Sequence, residues 1–233
     1  MTAPALAIAG LTKDYRGLRP LRIQQLTVSH DASVAILGFD QASAEVFVNL
    51  VTGATLPEAG TVHVFGQPTS AIADGDEWLQ TLDRFGIVTE RAVLLDHLTG
   101  IQNLAMPFTL DIEPPPDPVR ARAEAIALEV GLPPASWSAP VADLDAPARA
   151  RVRLGRALAA DPALLILEHA SAGLAPAAAV ALGADVRTIA AKRGIALVAA
   201  SADESFAHAV ATQVLTLEPA SGRLAERRRG WFK

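Results

Sequence analysis

Residues 34–46 read VAILGFDQASAEV, a short apolar strand, a glycine, and then a polar turn carrying Asp40, Gln41, Ser43 and Glu45. At such a strand–turn–helix junction the pattern G-x-x-x-x-G-K-[ST] binds phosphate. Its backbone N–H groups and lysine hold the phosphate oxygens and its hydroxyl holds Mg²⁺. Here Gly38 matches the first glycine, but Ser43 stands for the second, Ala44 for the lysine and Glu45 for the Ser/Thr. Gln41 and Ala42 fill what would be the glycine-rich stretch, and no G-K-[ST] occurs elsewhere in the chain. Asp40 and Glu45 add negative charge. At about 4 Å and an effective dielectric near 20, each opposes a phosphate charge by roughly 4 kcal/mol. On these residues alone, 38–45 reads as a strand-to-helix turn capped by Ser43.

The elements around this turn alternate. Residues 5–28 suggest two or three short strands with a turn near Arg16-Gly17. Further strands are expected at 34–37, 61–65, 85–88, 164–167, 195–199 and 214–217. Helices are expected at 45–51, 119–130, 148–160, 176–192 and 204–212, with a rigid proline loop at 113–118. The run LLIL (164–167) suits a parallel sheet covered on both faces. Alternating strands and helices mean α/β. No internal repeat is evident.

The chain has 233 residues, of which 51% are hydrophobic and 5% aromatic, enough for one large domain with an alanine- and leucine-rich core. It contains no cysteine, which excludes disulfides, zinc thiolates and cysteine nucleophiles. A net charge of −5 gives no reason to expect nucleic acid as a partner. The first residues lack a basic stretch ahead of an apolar run, and no apolar run approaches the ~20 residues that span a bilayer. A cytosolic protein is the expectation.

Four segments, in this order and spacing, resemble the nucleotide-binding subunit of ABC transporters over nearly the whole chain: 50–68, 87–108, 155–176 and 197–210. The resemblance implies one domain over 1–233: a P-loop NTPase-like (RecA-like) α/β core, an N-terminal antiparallel β lobe and an inserted helical lobe at about 91–152. It also locates six functional positions, and at each this chain departs from the family. Ala44 is at the lysine, Glu90 at the loop glutamine, and LDAPA (144–148), with Asp145, at the signature. Glu168-His169 replaces the Walker B Asp-Glu, Ala175 the D-loop aspartate and Ala202 the switch histidine.

The same resemblance puts Tyr15, the single tyrosine, where an aromatic ring stacks on adenine. Stacking is worth roughly 1–3 kcal/mol, too little to hold a nucleotide alone, and a surface turn tyrosine is an equal alternative. His169 has the chemistry of a general base near neutral pH, but phosphoryl transfer depends on positioning and charge. A polar histidine with one hydrogen bond is the simpler expectation. Glu45 and Glu168 are both able to ligate a divalent cation, so a metal site without nucleotide is a further alternative.

The reading is a pseudo-ATPase: no catalytic residue beyond the remnants Glu168 and His169, no metal, and no cofactor. It serves as a structural or regulatory subunit of a membrane transport complex. The family implies a transmembrane permease partner gripped near residues 90–99, with Arg91, Val93, Leu94 and Leu95 as contacts. It also implies a homodimer, or a heterodimer with an ABC ATPase subunit, peripheral at the inner face of the membrane. The alternatives are an active subunit using ATP and Mg²⁺, and a soluble scaffold or dimerisation module unrelated to transport. The basic end, 223–233, is read as a solvated tail or a membrane-surface contact.

Overall fold

A computed structural model describes residues 3–72 and 74–226. Two sheets are formed. The antiparallel sheet has the order β2 (Leu21–Val28), β1 (Leu6–Lys13), β4 (Ala59–Val64), β5 (Gln67–Pro68). The second has the order β10 (Arg223–Glu226), β9 (Gln213–Glu218), β3 (Ser33–Leu37), β8 (Ala196–Ser201), β7 (Leu164–Glu168), β6 (Phe85–Thr89). It is parallel from β9 to β6, and β10 adds an antiparallel edge. The segment before β10 joins the two sheets, since the Gln24 N–H donates to the Gly222 carbonyl at 2.8 Å.

Alternation along the parallel strands divides the core in two. Val34 and Ile36 of β3, with Leu164 and Ile166 of β7, face the antiparallel sheet and α1 (Gln41–Val51). Ala35, Leu37, Leu165 and Leu167 face the other way, toward α3 (Gly100–Ala105), α4 (Asp117–Glu129), α5 (Ala146–Leu158), α6 (Pro176–Arg193) and α7 (Glu204–Val210). Both faces are covered, so after Ser33 at the start of β3 these two strands carry no polar residue until Glu168. A short helix, α2 (Gly75–Leu82), buries none of its residues.

The strands expected from the sequence form within a few residues of their expected limits. Residues 5–28 give two strands, not three. Three expectations need correction. The proline loop is shorter than expected, because Asp117 and Pro118 open α4, where a missing N–H costs nothing. Residues 223–226 form β10, not a loose tail, and 227–233 lie outside the described residues. Most consequentially, α1 begins at Gln41, not near Glu45, so only Gly38, Phe39 and Asp40 separate β3 from the helix. Gly38 makes this short turn with φ 99°, and a Cβ there would lie 2.9 Å from the Leu217 carbonyl oxygen.

Gly38→Ala therefore imposes both left-handed strain, about 1–2 kcal/mol, and a backbone contact. The melting temperature should fall by roughly 2–8 °C; an unchanged melt would mean that the turn is not held in this conformation.

Candidate functional site

The turn after β3, the end of β7 and the turn after β6 share the carboxyl edge of the parallel sheet, where open α/β sheets place their sites. Glu168, the last residue of β7, is 1% exposed. A buried carboxylate needs a counter-charge and hydrogen bonds. Both come from Arg91. Its Nε donates to Glu168 Oε1 at 3.0 Å and its Nη2 to Oε2 at 2.6 Å, a bidentate fork. The third nitrogen, Nη1, lies 2.8 Å from Glu45 Oε1. Gln41 Nε2 donates to Glu168 Oε1 at 3.1 Å, which completes a four-residue cluster. The Glu168 hydrogen bond is the main cause raising the Arg91 pKa above its ordinary value.

Register explains how Arg91 reaches this point. Thr89 pairs with Glu168 across β6 and β7. Beyond the strand, the N–H of Arg91 donates to Thr89 Oγ1 and that of Ala92 to the Thr89 carbonyl, at 3.2 Å each. This tight turn carries Arg91 back over the end of β7. Arg91, expected as a partner contact, has its guanidinium paired with two carboxylates of its own chain while its side chain stays 41% exposed. The same bridge stands between Glu45 and Glu168, the pair that would have had to share a cation. Among the described residues no group of three or more His, Cys, Asp or Glu is arranged to hold a metal.

The start of α1 is equally self-satisfied. Asp40, not Ser43, is the N-cap. Ser43 donates to Asp40 Oδ1 from its backbone N at 2.7 Å and from its Oγ at 2.6 Å, and the Asp40 N–H donates to Ser43 Oγ at 3.0 Å. A carboxylate thus occupies the helix N-terminus, where anions are favoured. The Ser43 hydrogen bonds hold the Asp40 carboxyl below its ordinary value, with a smaller contribution from nearby His169. Ala42 is exposed, whereas Ala44, the lysine position, is fully buried beside Phe47 in the core. Tyr15 is partly buried; burial first, then the Asp40 charge, raises its phenol, and the Ser43 hydroxyl opposes this. Its ring thus lies against the loop and not in an open surface turn.

The remaining expected residues are dispersed. Glu90 is exposed beside a cavity of about 190 Å³ lined also by Arg149, Arg153 and Leu174. Asp145 caps α5, accepting from the Ala148 N–H at 2.8 Å. Ala202 is exposed between β8 and α7. His169 has φ 45°, and among the described residues its buried Nε2 has no hydrogen-bond partner, so the single bond expected is not made at that atom. Val93 is 74% exposed and Leu95 partly exposed, but Leu94 packs in the core at 9% and offers little surface. Asn103 is a residue the sequence reading missed. Fully buried, it accepts from the Leu95 N–H and donates to the carbonyls of Leu95 and Thr99, which pins the 91–99 loop.

Relatives of this chain carry consistent descriptions. The methionine import ATP-binding protein MetN of Brucella abortus is 26% identical over 99% of the chain, which spans 61% of that relative's length. The lipoprotein-releasing system ATP-binding protein LolD of Alcanivorax borkumensis is 29% identical over 88% of the chain and 91% of its own length. The chain is a homologue of ABC transporter ATP-binding subunits. Its fold is that of the ABC cassette. CbiO1 of Clostridium perfringens, part of the transporter complex cbiONQ, superposes with TM-score 0.79 at 18% identity, over 95% of this chain and 87% of that one. A dimeric bacterial ABC transporter cassette superposes at 0.77 and 19% identity, over 97% and 100%. No family model matches the chain.

Breaking the central ion pair leaves a buried carboxylate uncompensated. Arg91→Ala should cost about 3 kcal/mol in urea unfolding, the lower end for such pairs because Arg91 is partly exposed. Arg91→Met combined with Glu168→Leu should recover most of this loss; equal losses in both variants would contradict it. Asp40→Ala should cost about 1 kcal/mol at pH 7. The folded carboxyl titrates below its ordinary range, chiefly because of its Ser43 hydrogen bonds. Its contribution is therefore complete above the unfolded value and fades as pH falls through the folded one. The difference between the two proteins should begin to shrink near about pH 4 and vanish only once the pH lies below the folded value.

Proposed function

We propose that this cassette does not hydrolyse ATP and serves as a structural or regulatory subunit of an ABC transport assembly. The observation that carries the reading is the Arg91 guanidinium between Glu45 and Glu168, at 2.8 and 2.6 Å. Those carboxylates stand at the two positions that the family resemblance assigns to the Mg²⁺-binding side chains. Residues arranged in this way do not fit Mg-ATP. The cation's place is taken by a side chain, and the place of an anion at the start of α1 is taken by Asp40. The helix that would meet a partner's nucleotide, α5, is likewise capped by its own Asp145.

Magnitudes favour the same outcome. A metal–nucleotide ligand would have to break the Arg91–Glu168 pair, at about 3 kcal/mol, which alone weakens binding roughly a hundredfold. The carboxylate of Asp40 would remain in the path of the phosphates. His169 has no phosphate positioned for it to act on, and Tyr15 contributes at most one stacking contact.

Partners follow from the same reading. The subunit pairs with a second ATP-binding subunit, itself or an intact one, and with a transmembrane permease, at the cytoplasmic face of the membrane; nucleic acid is not a partner. A groove of about 410 Å³ beside the edge strand β6, lined by Ile87, Met106 and Pro107, suits a permease segment. Among the described residues no helix is long and apolar enough to cross a membrane, so the chain would reach the bilayer through that partner. The second reading, an active subunit, is favoured by the relatives' own description as ATP-binding proteins.

The two readings separate in a thermal melt. Binding at a hundredfold excess over Kd stabilises a fold by about 2.7 kcal/mol. With millimolar Mg-ATP the melting temperature should not move, and no Mg-dependent phosphate release should be detected. A rise of several degrees, or measurable turnover, would establish the active reading instead. Ala44→Lys should not create activity. It forces a charge into a fully buried position, and its signature should be loss of stability.

A further inference from the structure

The cavity beside Glu90, of about 190 Å³, lies between α5, the end of β6 and the connection from β7 to α6. None of Asp40, Gln41, Glu45 or Glu168 lines it, so it is separate from the filled cluster. Val88, Ala150 and Leu174 give it apolar walls, and Arg149, Arg153 and Glu90 give it charge. Other arginines of α5 and α6 are met by acids: Arg151 pairs with Asp185 at 2.7 Å, and Arg193 with Glu129 and Asp161. Arg149 and Arg153 are met only by carbonyls. Arg149 donates to Leu144 at 3.1 Å and to Ala142 at 2.8 Å, and Arg153 Nε approaches Ala92 at 3.5 Å. Among the described residues neither has a carboxylate within 4.0 Å, and Glu90 has no cation within that distance.

Carbonyls satisfy some of a guanidinium's five donors and none of its charge. The two arginines are four positions apart on one helix, so their like charges are neighbours, and they weaken the helix until an anion lies against them. Glu90 does not fill that place. Its Oε1 lies 3.5 Å from where a Cβ on Gly173 would stand, over the connection from β7 to α6. The cavity thus offers two cations, one anion and aliphatic side chains, with no charge matched inside the chain. A simple anion would leave Glu90 unmatched and be repelled by it, and a simple cation would leave the arginines unmatched. The volume is below the roughly 300 Å³ at which sites for drug-sized ligands begin, so the occupant is small. We propose that the cavity binds a small aliphatic α-amino acid as its zwitterion. The carboxylate accepts from Arg149 and Arg153, the ammonium donates to Glu90, and the side chain lies against Val88 and Leu174. This holds whether or not the chain hydrolyses ATP. It supplies a regulatory input, because Glu90 precedes Arg91, and an occupant ties the turn over Glu168 to α5.

The test is isothermal titration of the full chain, without nucleotide, with L-alanine, L-valine and L-leucine in turn. At least one should bind saturably, one molecule per chain. The deaminated and decarboxylated analogues of the tightest binder, isovalerate and isobutylamine in the case of valine, should each bind at least about tenfold more weakly, since each leaves a charged hydrogen bond unmade. Arg153→Gln and Glu90→Gln should each weaken binding by a similar factor. Neither side chain makes an ion pair, so the melting temperature without ligand should not change. If Arg153→Gln melts early, Glu90→Gln, at an exposed position, decides alone. Failure of all three amino acids to bind would overturn the proposal. So would a deaminated analogue that binds as well as its parent, which marks a plain anion pocket, or affinity untouched by the substitutions, which marks a site elsewhere. Each of these failures leaves the transport-subunit reading to its own test, the melt with Mg-ATP.

Discussion

The carboxylate of Glu168 is the constraint on which the carboxyl edge of the sheet depends. It is buried at the end of an otherwise wholly apolar strand. Such a group has to be neutralised, hydrated or paired. Here it is paired three times over, by both nitrogens of the Arg91 fork and by Gln41. The turn at 89–92, the start of α1 at Gln41 and the outward reach of Glu45 are each placed by that pairing. On the proposed reading, the charges that a nucleotide and its metal would bring are supplied by the chain itself.

The cluster is not isolated from the rest of the molecule. Arg91 opens a loop whose next carbonyls are held by α5, through Arg153 and Arg156, and whose remainder is tied down by the buried Asn103. The filled site and the groove are therefore two ends of one short, well-restrained segment. This gives the proposed non-catalytic subunit a physical route by which a partner seated in the groove would act on the site. The energy involved is that of a few charge-assisted hydrogen bonds, on the order of 1.5–3 kcal/mol each.

Much of this fold is legible in the sequence because its strands obey a simple rule. Strands covered on both faces read as continuous apolar runs, and LLIL at 164–167 or the alternation around 61–65 locate themselves. The loop chemistry was legible only as a set of departures, Ala44 and Ala202 among them. What replaced the missing groups was not, because it depends on register between strands far apart in sequence. Nothing local marks Arg91 as a partner for Glu168, 77 positions away. The available clue was electrostatic, since Asp40, Glu45 and Glu168 converge on one edge and require a cation from somewhere. Helix starts misled for a related reason. Ser43 is a good cap by type, but Asp40 three residues earlier forms the reciprocal pair with it and rewinds the turn into α1. Leu94 looked like a surface contact because an apolar residue in a loop gives no sign of which way it packs.

The claim that the chain fills its own site is tested most directly by the Nε–H resonance of Arg91, assigned through its loss in Arg91→Lys. A guanidinium locked on a buried carboxylate should give a slowly exchanging signal that disappears into fast exchange in Glu168→Gln. On adding millimolar Mg-ATP to the wild-type protein, that signal should keep its position and its exchange rate. Displacement of the resonance by Mg-ATP would show that the arginine leaves Glu168 for a nucleotide, and would contradict the account.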